Sequence, residues 1–272
     1  MGRFTHERVM DNVIQIMEHD VYMLLIEGKD RAILLDTGNG VGNLKEYVDK
    51  LTDKPYEVWL THSHYDHVDG LGWWDRAYLN AKDFATFVAE EKEERLAKLI
   101  ARGYPDVTIE ELAPKFEGEL IPYKDGDIID LGGTTLQVVE VSGHTPGCSM
   151  FLMIEDRVMI YGDAVGRKSG LWSTSTASDL VKSLKYLQTF DDRYDRIMRL
   201  HNGLWWQKGF ADEVLECAEQ IVAGTDARQK LPYNLFPNEV MYAAAECNLD
   251  DPDFGRKDGK TGNVFYFLRN AK

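Results

Sequence analysis

Cysteine is scarce in this chain: three residues in 272, at positions 148, 217 and 247, with no Cys-x-x-Cys spacing. An odd number of distant thiols suits free thiols in a reducing cytoplasm better than a disulfide scaffold. Proline is also sparse, at 8 residues, and the 23 glycines follow no period, which excludes collagen-like and low-complexity chains. No apolar run approaches the length of a membrane-spanning helix, and the first residues lead into no secretory signal. Basic residues are outnumbered 46 to 31, so the net charge is −15, and no Lys/Arg run interrupts it. Such a chain repels phosphate backbones. Neither nucleic acid nor a membrane is therefore expected as a partner. A small-molecule substrate is expected, and the oligomeric state is left open, a homodimer included.

The rest of the composition is ordinary for a globular protein, 44 % apolar and 28 % charged. Short apolar runs at residues 13–17, 21–26 and 31–35 read as strands, with Gly28-Lys29-Asp30 as a hairpin turn. Leu44, Tyr47, Val48 and Leu51 follow at helical spacing, then a strand at 57–60 and a helical pattern over 81–102. Strands are expected again at 128–131 and 135–139, and a hairpin over 149–161. Ser178 reads as the N-cap of a helix carrying Leu180, Leu184 and Leu187, and a last amphipathic helix runs from Phe210 to Val222. Leu35-Asp36-Thr37-Gly38 and Tyr161-Gly162-Asp163 each place an aspartate at a strand end. The pattern is a layered α/β chain. It reads as one domain over 1–272, with a helical insertion at about 80–118 and a C-terminal appendage at about 225–272. The insertion reads as a cap over whatever site the chain carries.

Histidine is rare too, with seven in all, yet three fall in Thr61-His62-Ser63-His64-Tyr65-Asp66-His67, directly after a strand. Residues two apart in extended chain share a face, so His62 and His64 can grip one ion together. Imidazole and carboxylate without thiolate suit zinc, iron, manganese or cobalt.

This His-x-His-x-Asp-His motif resembles that of the metallo-β-lactamase-fold hydrolase superfamily. Three later motifs resemble it in the same order: Ser142-Gly143-His144-Thr145-Pro146-Gly147, Tyr161-Gly162-Asp163 and Leu200-His201-Asn202-Gly203. The resemblance implies a four-layer αββα sandwich, with two mixed sheets face to face and helices outside. It also implies two divalent ions, zinc first with iron or manganese as alternatives. His62, His64 and His144 would hold one ion, Asp66, His67 and His201 the other, and Asp163 would bridge. The seven-ligand set is closest to the glyoxalase II and lactonase branches. Asp36 would stand behind a ligand histidine and orient it. Cys148 occupies the place where many relatives carry a second histidine, and reads as a buried apolar residue.

The implied chemistry is hydrolysis by a metal-bridging hydroxide, with Asp66 as the catalytic proton acceptor, on an ester, thioester or lactone. Small phosphodiester hydrolysis, β-lactamase-like activity and a mononuclear-iron sulfur dioxygenase are the alternatives on the same fold. Five of the six tryptophans flank the ligand motifs. Trp73, Trp74, Trp172 and Trp205 are thus candidates for a pocket wall, and Arg167 and Lys168 for pairing with an anionic substrate group.

Overall fold

The computed structural model describes residues 3–172, 174–232 and 239–272, so residues 233–238 of the expected appendage lie outside the described residues. The chain folds as two compact units, Met1–Gln137 with Met153–Asp156 and Arg199–Leu204, and Val138–Leu152 with Arg157–Met198 and Trp205–Lys272.

In the first unit one seven-stranded sheet follows chain order: β1 (Thr5–Met10), β2 (Val13–Glu18), β3 (Val21–Glu27), β4 (Ala32–Leu35), β5 (Tyr56–Trp59), β6 (Arg76–Asn80) and β7 (Glu119–Tyr123). Tight turns join β1 to β4 as an antiparallel meander, and His19 enters the left-handed region (φ 54°) in the two-residue turn between β2 and β3. From β4 onward the pairing is parallel. Parallel neighbours need crossovers, here α1 (Leu44–Val48), α2 (Tyr65–Val68) and the segment carrying α3 (Lys92–Ala101). Ile16, Met23, Leu25, Leu34, Val58 and Leu79 form the core beneath. β4 and β5 end in register, Leu35 beside Trp59. Asp36 and Thr61-His62 therefore leave the sheet side by side at the carboxyl ends of parallel strands, where open α/β sheets build sites. β8 (Ile128–Asp130) then pairs with the start of β9 (Thr135–Glu140), with Ile128 opposite Gln137.

The second unit carries the rest of β9, then β10 (Ser149–Met153), β11 (Val158–Tyr161), β12 (Ser169–Leu171), α4 (Ala177–Gln188), β13 (Arg196–Arg199), β14 (Trp205–Trp206), α5 (Phe210–Ala223), β15 (Gln229–Lys230), β16 (Met241–Ala243) and β17 (Val264–Phe267). One sheet has the order β14-β13-β11-β10-β9, and a smaller one the order β12-β17-β16-β15. In the latter β12 runs parallel to β17, while β17, β16 and β15 alternate. Leu180, Leu184 and Leu187 of α4 and Val214 and Ile221 of α5 close over Met150 and Met159. Both units combine sheets with helices, the α/β class read from the sequence. Among the described residues no helix is long and apolar enough to cross a membrane.

Two element boundaries differ from the sequence reading. The helix expected over 81–102 begins only at Lys92, and Ala81–Asp83 is a single 3-10 turn. Tertiary structure overrides helical spacing there, because the buried Asp83 carboxylate turns aside to accept the Ser63 backbone N–H at 3.0 Å. The cap of α4 is Thr176, not Ser178. Thr176 and Asp179 form a reciprocal capping box, and Ser178 sits inside the first turn.

Candidate metal centre

His62 and His67 are both held by one buried carboxylate, Asp36, the first of them through Thr61. Asp36 Oδ1 accepts the Thr61 backbone N–H at 2.7 Å, and Oδ2 accepts the Thr61 hydroxyl at 2.8 Å. That hydroxyl's one O–H is donated to Asp36, so toward Nδ1 of His62, 3.0 Å away, it can only accept. Asp36 Oδ2 also lies 2.6 Å from Nδ1 of His67. Both rings therefore carry their proton on Nδ1 and turn a lone pair outward from Nε2. Asp36 itself takes a left-handed backbone (φ 63°), which short acidic side chains tolerate. The ring of His64 stands 4.8 Å from that of His62, nearly perpendicular to it.

His201 reaches this unit through a bridge to Val21, where the Tyr22 N–H donates to Leu200 O at 2.9 Å. Its Nδ1 faces the Asp20 carbonyl at 2.8 Å. A carbonyl only accepts, so Nδ1 donates and Nε2 again offers a lone pair. Nε2 of His67 and Nε2 of His201 meet at 3.1 Å. Asp66 adds its carboxylate, Oδ1 4.0 Å from His67 Nε2 and Oδ2 3.8 Å from His201 Nε2. Two lone pairs and a carboxylate converging in this way repel unless a cation stands among them. The ligand atoms of Asp66, His67 and His201 lie within 4.8 Å of one another, and the donor set suits a borderline divalent ion such as zinc.

The loop after Asp36 is braced from three sides. Thr37 donates its N–H and its hydroxyl to the His67 carbonyl, at 2.8 and 3.0 Å. Glu18, wholly buried, accepts from the Asn39 and Val41 N–H groups. Burial pushes its carboxyl up to about 8, against the pull of those two hydrogen bonds. Gly38 is required at φ 70°, because a Cβ there would stand 2.3 Å from Glu18 Oε2. The segment carrying α3 supplies the third brace, where Arg95 Nη2 donates to Gly40 O at 3.4 Å and Arg102 Nη1 to Asn39 Oδ1 at 3.0 Å. Thr61, Glu18, Asp20 and Arg102 were not singled out from the sequence. For Thr61 the neighbouring motif was a usable signal, but for the others no local signal exists.

In the second unit His144 and Asp163 come together, with Nε2 3.8 Å from Oδ2. Gly170 O accepts from Nδ1 of His144 at 3.1 Å, so Nε2 again presents a lone pair to a carboxylate. The ring of Trp172 lies 6.5 Å from that of His144, edge-on. Its indole folds back over Gly170, where a Cβ would stand 1.8 Å from Cε2. The other pocket candidates have different company. Trp73 donates to Gly42 O at 3.1 Å, and Trp74 packs on the first unit's core. Trp205 is 41 % exposed under the Arg196 guanidinium. Arg167 pairs with Asp253 at 3.5 Å, and Lys168 donates to Pro252 O at 3.1 Å, which ties both to the C-terminal segment. Cys148 is fully buried.

Acyl-coenzyme A thioesterase MBLAC2 of Bos taurus is 24 % identical over 216 residues, covering 70 % of this chain and 77 % of that protein. The hydroxyacylglutathione hydrolase of Ruegeria pomeroyi is 34 % identical over a shorter stretch of 110 residues, 40 % of this chain and 33 % of the relative. Among solved structures, the DIM-1 metallo-beta-lactamase superposes with a TM-score of 0.59 at 14 % identity, over 80 % of this chain and 98 % of that one. A metallo-beta-lactamase from Pontibacter korlensis gives 0.56 at 15 % identity, over 79 % and 99 %. These likenesses carry the fold. The metallo-beta-lactamase superfamily profile matches residues 17–195, more than half of the chain, and the chain belongs to that superfamily.

Proposed function

We propose that the chain, a metal-dependent hydrolase by its superfamily, cleaves a small-molecule thioester using two divalent ions, zinc by preference. The proposed ligands are His62, His64, Asp66, His67, His144, Asp163 and His201. The observation that carries the reading is the convergence of Asp66, His67 and His201, each ring's proton already engaged on its far side. When bound, the ions supply Lewis acidity toward the substrate carbonyl and lower the pKa of water.

The chain's own residues supply the rest. Asp36 fixes the tautomers of His62 and His67, and Gly170 that of His144. Asp66, half-buried, takes the proton of the attacking water. A thiol has a pKa of about 8.5, so the leaving thiolate departs near neutral pH without a proton donor. Thioester cleavage thus suits a centre built from proton acceptors, and the thioesterase and hydroxyacylglutathione hydrolase relatives support the same class. All three cysteines are buried thiols, in keeping with a reducing cytoplasm.

The test is turnover on matched panels of acyl-coenzyme A and glutathione thioesters, lactones, phosphodiesters and β-lactams, with metal content measured on the same preparation. The expected result is two ions per chain, highest kcat/KM on a thioester, loss of activity with a chelator and recovery with zinc. A preference for phosphodiesters, or activity indifferent to chelation, sinks the reading. Trp172, beside His144, walls the substrate's apolar part. Trp172→Ala is accordingly expected to raise KM more than it lowers kcat, because binding common to ground and transition states is lost. Unchanged kinetics with a large fall in Tm would make Trp172 a packing residue only.

A further inference from the structure

One guanidinium ties together the supports of Asp66, His67 and His201. Arg102 is the C-cap of α3, where the helix dipole favours a cation, and its side chain leaves the helix toward the ligand loops. Nη2 donates to the Asp20 carboxylate at 2.8 Å. Asp20 is the residue whose carbonyl accepts from Nδ1 of His201, and the Tyr104 hydroxyl anchors the same carboxylate at 2.6 Å. Nη1 donates to Asn39 Oδ1 at 3.0 Å. Asn39 lies two residues past Thr37, which grips the His67 carbonyl, in the loop that begins with Asp36. Nη1 also stands 3.6 Å from Asp66 Oδ2. The guanidinium also lies 5.3 and 5.9 Å from the ring centroids of Tyr65 and Tyr104.

We infer that Arg102 is a positioning residue for the second metal group: the insertion sets the aim of Asp66, His67 and His201 through Asp20 and Asn39. The inference rests on the metal reading above. It assigns the insertion a role in building the site, through a side chain that touches neither substrate nor ion.

Two simpler roles make opposite forecasts. A cation acting by charge alone would repel the ion, so its removal would tighten binding. A purely structural strut would lower the stability of the metal-free chain and leave metal affinity alone. Positioning forecasts weaker binding, because the ligands lose their fixed aim. Lys keeps the charge but has no planar fork to span Asp20 and Asn39 at once, so it cannot rescue.

The experiment titrates the full chain with zinc against a chromophoric chelator, for wild type, Arg102→Met and Arg102→Lys. Tm of the metal-free proteins and the cobalt(II) absorption bands are recorded alongside. The expected result is a rise of about 10–100-fold in the dissociation constant of the second zinc equivalent in both variants, the range for outer partners of metal ligands. The first equivalent stays unchanged, and the cobalt bands of one site alone shift. Tighter binding in Arg102→Met with wild-type affinity in Arg102→Lys overturns the inference, and so do unchanged affinities with a lowered metal-free Tm. If Arg102→Met fails to fold, the Lys variant decides, since the charge-only role requires it to match wild type. A wild-type chain that binds one zinc or none overturns the metal reading itself and this inference with it.

Discussion

Asp66→Asn yields a folded protein whose kcat on its best substrate falls at least about 10³-fold. Asp66 is the one carboxylate within the His62–His67 cluster, and its oxygens face two imidazole nitrogens and a guanidinium. Asn keeps the shape and one carbonyl oxygen but gives up the charge and the basicity. Loss of a general base alone costs about 10²–10⁴-fold, and a weakened second ion adds to that. The fold survives, because Asp66 contributes nothing to the core around Ile16, Leu34 and Val58. The histidines keep their tautomers, which depend on Asp36 and Asp20 rather than on Asp66. The measurement is turnover together with circular dichroism and metal content. Retention of more than about a tenth of wild-type kcat means that Asp66 is not the proton acceptor, since general-base loss cannot be that small.

How much of this could be read from the sequence depends on how far each partner lies along the chain. His62, His64, Asp66 and His67 sit within six residues after one strand, so their geometry is local and the spacing announces it. Asp36 was legible through its strand-end turn. Arg102 and Asp20 were not, because they are 82 positions apart, and Asp20 and His201 are 181 apart. Nothing in a charged helix end or a β-turn foretells such meetings. Among the strands, β2, β3 and β4 announced themselves by continuous apolar runs. β1 did not, because Thr5-His6-Glu7-Arg8 is exposed on both faces at the sheet edge, and edges are built from polar residues. β7, at the other edge, carries Pro122, which is tolerated only where no ladder hydrogen bond is needed. The two candidate cations read from the sequence, Arg167 and Lys168, were singled out for their closeness to Asp163. Sequence closeness does not give their partners, which come from residues 252 and 253.

Arg95→Met lowers the stability of the metal-free chain by about 3–5 kcal/mol, the usual cost of removing one member of a buried ion pair. Arg95 is 2 % exposed, and its guanidinium is held by backbone carbonyls and by the Asp69 carboxylate. Nη1 donates to Ala113 O and Nη2 to Asp69 O, each at 2.8 Å, and Nε lies 3.3 Å from Asp69 Oδ2. Burial pushes the Asp69 carboxyl up to about 7 even with this guanidinium beside it. Met fills much of the aliphatic volume but leaves the Asp69 carboxylate and three carbonyls, those of Gly40, Asp69 and Ala113, without their donor. The damage is local to the joint between α3 and the Gly38–Val41 loop, where Leu99, Val107 and Leu112 pack on Val41. Denaturant unfolding with chelator present measures it, and a double variant separates charge from packing. Arg95→Met with Asp69→Asn is expected to recover part of the loss, because the second change removes the stranded carboxylate. If Arg95→Met costs less than about 1 kcal/mol, the pair is neither dry nor tightly coupled. If the double variant is no more stable than Arg95→Met, the loss comes from the carbonyls and the cavity rather than from a buried charge.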